Sequence, residues 1–290
     1  MTLKSNIAKA KNNYGVYFIA EIGQNHQGSL EIAKKMVDEL KNKGVSAIKT
    51  AKRDIDVCLT EKQKNKKYDN PNSFGETYYD HRKALELSAD DFIELKTYIE
   101  DNGFDFIPSF TDESSLNFLC DIGVKYLKIA SQRVTDLELM KAASRMGKPT
   151  IISTGMSSIK DIENVLEIFK DNEKYLLQCT SSYPCEDSNL NLNVIKTYKE
   201  KYDFMDGFGF SGHHTSIGPD LAAYMIGIDI LERHFTLNRS WKGTDHAASL
   251  SIRGIEYILK YIKQIQKSLG SYDKDVLDCE MYALKKLRGI

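Results

Sequence analysis

The stretch D-I-L-E-R-H-F-T-L-N-R-S-W-K-G-T-D, residues 229–245, has the two-residue period of a strand over its first half. Ile230, Glu232, His234 and Thr236 fall on one face, and Leu231, Arg233, Phe235 and Leu237 on the other. A carboxylate and an imidazole therefore share one side of an otherwise apolar strand. As an edge strand with one wet face, this segment needs no further account. As a buried strand it needs a partner, a metal or a reaction, because an ion taken out of water costs several kcal/mol.

Working back from this stretch, the chain alternates strands and helices. The strands read as 16–23, 47–52, 105–110, 126–131, 149–155, 175–184, 205–212 and 229–237. Between them, helices read as 29–44, 88–103, 112–123, 136–147, 158–172, a polar one near 190–202, and 218–228; another follows at 251–270. Strict alternation argues for a parallel sheet. Eight such units in about 250 residues match a TIM (β/α)8 barrel. An open doubly wound sheet with a dinucleotide turn is disfavoured, since no G-x-G-x-x-G follows the first strand. The expected organisation is an α/β single domain: a loose lead-in over 1–14, the barrel over 15–270 and a polar tail over 271–290, too short for a second domain. The connection 54–87 is too long for an ordinary loop and reads as a lid or binding loop.

Bulk composition narrows the function classes. A formal net charge of −1 argues against a general nucleic-acid or anionic-membrane binder. No apolar run approaches a membrane span, and the N-terminal sequence has no apolar signal region. Five scattered cysteines without a Cys-x-x-Cys pair suit reduced thiols in a cytoplasm.

In such a barrel the chemistry gathers at the C-terminal strand ends. There the sequence places Glu21, Lys49, Ser109, Lys128, Ser131, Ser153, Ser181, Tyr183, Ser211, Glu232 and His234, with Asp245 on the loop beyond. Lys49 and Lys128 sit inside short apolar strands, where solvated lysines are uncommon. Two cations among Ser and Thr hydroxyls read as a site for a multiply charged anion such as a phosphate ester. Cys179 reads as a small core residue, and Tyr78, Tyr79 and His81 on the long connection as structural. Of the adjacent His213 and His214 only one can point inward. Imidazoles from strands seven and eight, with Glu21 and Glu232 near, form a divalent-metal site or a metal-free acid–base pair.

Several segments together resemble the sialic acid (N-acetylneuraminate) synthase family. They are F-I-A-E-I-G-Q-N-H-Q-G-S (18–29), L-K-I-A-S (127–131), I-I-S-T-G-M (151–156), Q-C-T-S-S-Y-P (178–184), G-F-S-G-H-H-T (209–215), E-R-H-F-T-L-N-R (232–239) and K-G-T-D-H-A-A-S-L (242–250). The resemblance implies a TIM barrel that condenses phosphoenolpyruvate with an N-acylated hexosamine such as N-acetylmannosamine. The products would be a 2-keto-3-deoxy nonulosonic acid and phosphate, with Mn or Mg as cofactor and a homodimer as the assembly. It assigns Lys49, Ser109, Lys128, Ser131, Ser153, Ser181 and Ser211 to phosphoenolpyruvate. Glu21 and Glu232 fall around the reacting carbons, and Tyr183 and Asp245 at the sugar. Because the family's histidine directly precedes the threonine, here Thr215, the resemblance gives His214 and His234 as metal ligands.

The chain departs from the family pattern at Ala51, where Gln is common, and at Arg133, where an acidic residue is common; both positions are expected to line the sugar side. S-G-H-H-T carries an extra histidine, and the antifreeze-like domain that follows in many members has no counterpart before Ile290. Two other readings compete: a Schiff-base aldolase or lyase using Lys128 or Lys49, and a non-catalytic sugar- or anion-binding barrel.

Overall fold

A computed structural model describes residues 2–289. Its strands are β1 (Tyr17–Glu21), β2 (Ala47–Lys49), β3 (Ala51–Lys52), β4 (Asp105–Phe106), β5 (Ser109–Phe110), β6 (Leu127–Ile129), β7 (Thr150–Ser153), β8 (Lys174–Cys179), β9 (Gly207–Gly212) and β10 (Ile230–His234). These ten segments form one curled, all-parallel sheet, with β1 paired to both β2 and β10. The fold is α/β and TIM-barrel-like, with helices packed outside the sheet.

Two stretches expected as single strands are each split. Residues 47–52 break at Thr50, whose buried hydroxyl donates to the Gly23 carbonyl at 3.1 Å. Residues 105–110 break at Ile107–Pro108, where proline has no N–H to give the ladder. Pairing resumes on both sides of the breaks, β2 with β4 and β3 with β5. Pro108 still accepts from the Lys128 N–H at 3.1 Å.

Apolar side chains fill two layers. One lies between strands and helices and includes Phe18, Ile48, Phe110, Leu127, Phe210 and Leu231. The other lies inside the curled sheet and includes Tyr17, Ile19, Ile107, Ile151, Tyr175, Leu177 and Ile230. It is closed at the N-terminal strand ends by a helix over Leu3–Tyr14, which corrects the expectation of a loose lead-in. Thr2 caps that helix, and Leu3, Ile7 and Ala10 recur on one helical face and are buried beneath the sheet. With one end plugged by apolar groups, the space at the opposite strand ends is left for polar ones.

The long connection is folded, with short helices over Ile55–Cys58, Glu61–Lys64 and Tyr78–Ala84. His81 is buried and packs against Tyr68, Phe74 and Tyr78, in line with a structural role. At the other terminus, Met281–Arg288 forms a helix with no buried residue. No helix among the described residues is long and apolar enough to cross a membrane.

Candidate active site

Strand β10 behaves as its two-residue period predicts. Ile230 joins the inner apolar layer, and Glu232 and His234 follow it on the same face, lining a pocket at the C-terminal strand ends. Leu231 and Arg233 point outward into the helix layer. The register sets Glu21 beside His234 on one side and Lys49 on the other, and Glu232 beside Ser211. Glu21, Lys49, Ser109, Lys128, Ser131, Ser153, Ser181, Tyr183, Ser211, Glu232, His234 and Asp245 all line this one pocket.

At its floor the two lysines flank Glu232. Lys49 Nζ lies 3.8 Å from Glu232 Oε1 and is paired with Glu21; Lys128 Nζ lies 3.9 Å from Glu232 Oε2. Lys128 also donates to Ser153 Oγ at 2.6 Å and to the Ile129 carbonyl at 3.0 Å, and Ser211 donates to Glu232 Oε1 at 3.0 Å. Burial disfavours the Lys49 charge, as do Lys128 and Arg53, and although Glu232 opposes them the pKa falls to about 8. Lys128 is lowered too, chiefly by burial. Burial pushes Glu232 up, but Lys128 and Lys49 outweigh it and hold the carboxyl below its usual range. Gly155 widens this region: a Cβ there would meet Ser131 Oγ at 2.8 Å and also Ser181 Oγ. Its N–H donates to Ser131 Oγ at 2.9 Å.

Above the floor sits a pair of imidazoles, and here the structure corrects an assignment. His213 and His234 face each other with ring centroids 5.4 Å apart, and Tyr183 packs 4.0 Å from His213. His214 does not enter the pocket. It is fully buried on the outer side, against Phe210, with Nε2 at 2.8 Å from Arg233 Nη1 and 3.3 Å from Asp220 Oδ2. Parity carries the reason: Ser211 on β9 and His213 just past its end share the inward side, whereas His214 keeps the phase of Phe208 and Phe210 in the outer layer. The inward placement of Ser211 was enough to choose His213 from the sequence.

Among the described residues no three His, Cys, Asp or Glu side chains are gathered closely enough to hold a metal ion, and the two imidazoles are the nearest approach to such a set. His213 Nδ1 lies 2.9 Å from the Thr180 carbonyl, which orients the ring; burial lowers its pKa, but the hydrogen bond and charge of Cys179, with the Thr180 carbonyl, outweigh it and hold the imidazole above its usual range. His234 Nδ1 is buried without a hydrogen bond and lies 3.9 Å from Asp245 Oδ2; one Glu21 oxygen, Oε1, is likewise unpartnered. Burial drives the His234 pKa down to about 3, so the ring is neutral at physiological pH, the form that ligates metals.

Of the two departures, Ala51 lines the pocket, but Arg133 does not; it lies 3.8 Å from Asp136 instead. The pocket also takes in Gln24 and Arg53, which the sequence already places at the ends of the first two strands, and Arg82, Gln132, Met156 and Cys179, which sequence reasoning left outside the site. Arg82 comes from the long connection, where no strand parity points to it. Cys179 was read as core, and although buried it faces this space.

Comparison with known proteins agrees with this geometry. A family model described as the NeuB family matches residues 36–274. The chain is 36% identical over 273 residues to N-acetylneuraminate-9-phosphate synthase of Homo sapiens, covering 93% of this chain and 76% of that protein. It is 33% identical over 275 residues to N,N'-diacetyllegionaminic acid synthase of Legionella pneumophila, covering 91% and 76%. The solved N-acetylneuraminic acid (sialic acid) synthetase from Leptospira borgpetersenii, in complex with citrate, superposes with a TM-score of 0.80 at 30% identity, over 95% of this chain and 92% of that one. With its lysines and carboxylates gathered at the strand ends as the motifs required, the chain belongs to the NeuB family of sialic- and nonulosonic-acid synthases and is a transferase of that class.

Proposed function

We propose that this enzyme condenses phosphoenolpyruvate with an N-acylated hexosamine, an N-acetylmannosamine-like aldose, to give a 2-keto-3-deoxy nonulosonic acid and phosphate. The observation that carries the reading is the pair of buried lysines, Lys49 and Lys128, held on either side of Glu232 beneath two facing imidazoles. Two cations with Ser109, Ser131, Ser153, Ser181 and Ser211 around them match the phosphate and carboxylate of phosphoenolpyruvate. Counting β2 with β3 and β4 with β5 as broken strands, the sheet reads as the eight-stranded (β/α)8 barrel.

The residues divide the work by position. Lys49 and Lys128 hold the anion through the reaction, so that charge leaving with phosphate is neutralised where it develops. C3 of the enol phosphate forms a bond to the aldehyde carbon, and C2 becomes electron-poor. Glu232 and Glu21 stabilise that centre and take the proton of the water whose oxygen adds to C2. The C2–O bond to phosphate then breaks, which leaves the keto group. Tyr183 and Asp245 border the sugar side. His213 and His234 would hold a Mn or Mg ion, which when bound supplies Lewis-acid polarisation of the aldehyde oxygen. A cytoplasmic homodimer completes the proposal.

A panel of acceptor aldoses offered with phosphoenolpyruvate and Mn, with products read by mass, tests this reading. A product carrying the acceptor plus the pyruvyl carbons is expected. Consumption of phosphoenolpyruvate with no such adduct for any aldose overturns it. The lowered Lys49 pKa is also what a Schiff-base lysine would show. Borohydride with pyruvate therefore supplies the second arm: no trapped adduct is expected on Lys49 or Lys128, and one would favour the lyase reading.

A further inference from the structure

Gln24 lines the pocket but belongs to neither the anion floor nor the imidazole pair. Its amide joins two loops instead. The amide oxygen, Oε1, accepts from Arg82 Nη1 at 2.7 Å, and Nε2 donates to Thr244 Oγ1 at 2.8 Å. The Thr244 hydroxyl in turn donates to Asp245 Oδ1 at 2.8 Å. Arg82 lies on the helix Tyr78–Ala84 of the long connection, Gln24 in the turn after β1, and Thr244 and Asp245 on the loop after β10. Three segments far apart in sequence thus meet in one chain of hydrogen bonds that ends on a pocket carboxylate.

The two ends of that chain fix its direction. A guanidinium only donates, so Gln24 must turn its carbonyl oxygen to Arg82 and its NH2 to Thr244. The Thr244 hydroxyl, already accepting from Gln24, has one proton to give, and an Asp245 carboxylate takes it. Asn25, the next residue, repeats the device on the backbone. Its buried Nδ2 donates to the Phe235 carbonyl at 2.8 Å and to Ser249 Oγ at 2.9 Å, and Ser249 Oγ donates to the Asp245 carbonyl at 2.7 Å. Asp245 is therefore held both at its carbonyl and at Oδ1, with Oδ2 lying 3.9 Å from His234 Nδ1.

We propose that Gln24 is a positioning residue for the aldose: through Thr244 it aims the Asp245 carboxylate, and through Arg82 it makes that aim depend on the long connection being in place. This rests on the condensation reading above, in which Asp245 borders the sugar. Gln24 acts through Asp245 and needs no contact with a reacting atom.

Steady-state kinetics with the best aldose of the panel, together with amide hydrogen exchange of the substrate-free chain, tests the proposal. Gln24→Glu keeps an oxygen for Arg82 but removes the NH2, so the Thr244 hydroxyl donates to the new carboxylate and Asp245 loses its donor. The aldose KM is expected to rise about tenfold, the scale of one hydrogen bond to a charged group. The phosphoenolpyruvate KM should stay unchanged, and kcat should fall less than the aldose KM rises. Thr244→Val should match this effect, Thr244→Ser should restore the wild-type KM, and the Gln24→Glu/Thr244→Val pair should be no worse than either single change. A wild-type aldose KM in Gln24→Glu overturns the proposal, as does an equal rise in both substrates' KM or an additive double variant. In exchange, Gln24→Ala, which cuts both links, should speed exchange in residues 78–84 and 240–247; unchanged exchange there also overturns it. If an aldose is condensed but its KM ignores these variants, the condensation stands and the positioning role fails. If no aldose is condensed while exchange responds as expected, the condensation reading fails and the positioning of Asp245 stands.

Discussion

Strand β10 carries buried charge on both faces, and the two faces do opposite things. On the inner face, Glu232 and His234 meet Lys49, Lys128, Glu21 and His213 around open space. On the outer face, Arg233 is packed between Asp220, His214 and the Ser216 carbonyl, all but the last fully buried side chains with no pocket among them. Neither burial nor unmatched polar atoms separates the two clusters. Arg233 Nε, Asp220 Oδ1 and His214 Nδ1 lack hydrogen bonds, as do Glu232 Oε2 and His234 Nδ1. The difference is the cavity. A charge cluster that closes on itself fixes strand to helix, whereas one that surrounds a space awaits a ligand.

Removing one charge from each face should separate them sharply. Arg233→Met strands the Asp220 carboxylate and is expected to cost about 3–5 kcal/mol of stability in urea unfolding. Activity per folded molecule should change little, and unchanged stability would erase the contrast. Lys128→Met on the inner face should lower turnover by about 10²–10³, the scale for losing one preorganised electrostatic contact, with a smaller loss of stability because Glu232 keeps Lys49 at 3.8 Å and borders the open pocket.

The adjacent histidines sharpen the contrast at single-residue resolution. His213→Ala is expected to abolish saturable Mn binding, read as free Mn by electron paramagnetic resonance. His214→Ala should leave that titration in place and instead destabilise the fold by about 1–3 kcal/mol, the scale for an orphaned buried hydrogen-bond partner. The reverse pattern would reinstate His214 as the ligand.

The smallest effect is in pH. Lys49 is charged below its pKa of about 8 and loses its proton as pH rises through that value. Phosphoenolpyruvate should therefore bind the ammonium form, and its KM should climb above about pH 8. Lys49→Arg should push that limb higher, since a guanidinium stays protonated. A KM flat to pH 10 would remove Lys49 from the anion pocket.

Much of this was legible in the sequence because strand parity and strand-end position are local properties. Lys49, Lys128, Glu21, Glu232 and His234 follow from where each falls on a short apolar strand. His213 was also within reach by its parity with Ser211; the match to a neighbouring threonine led to His214 instead. The Leu3–Tyr14 helix was hidden because only three of its residues are buried, too sparse a stripe to stand out among lysines and asparagines. Arg82 was not legible at all. Its place in the pocket depends on how the connection from residue 54 to residue 87 folds back over the strand ends, a long-range outcome that no period encodes. The same holds for the Arg233–Asp220 pair, which joins a strand to the preceding helix.

The central claim is that the inner cluster joins phosphoenolpyruvate to an aldose with the help of a divalent ion. Phosphate release from phosphoenolpyruvate, followed with and without aldose and with and without chelator, tests it most directly. The account predicts release only when aldose and metal are both present, in step with formation of the coupled product. Release without aldose, or release that a chelator leaves untouched, would contradict it.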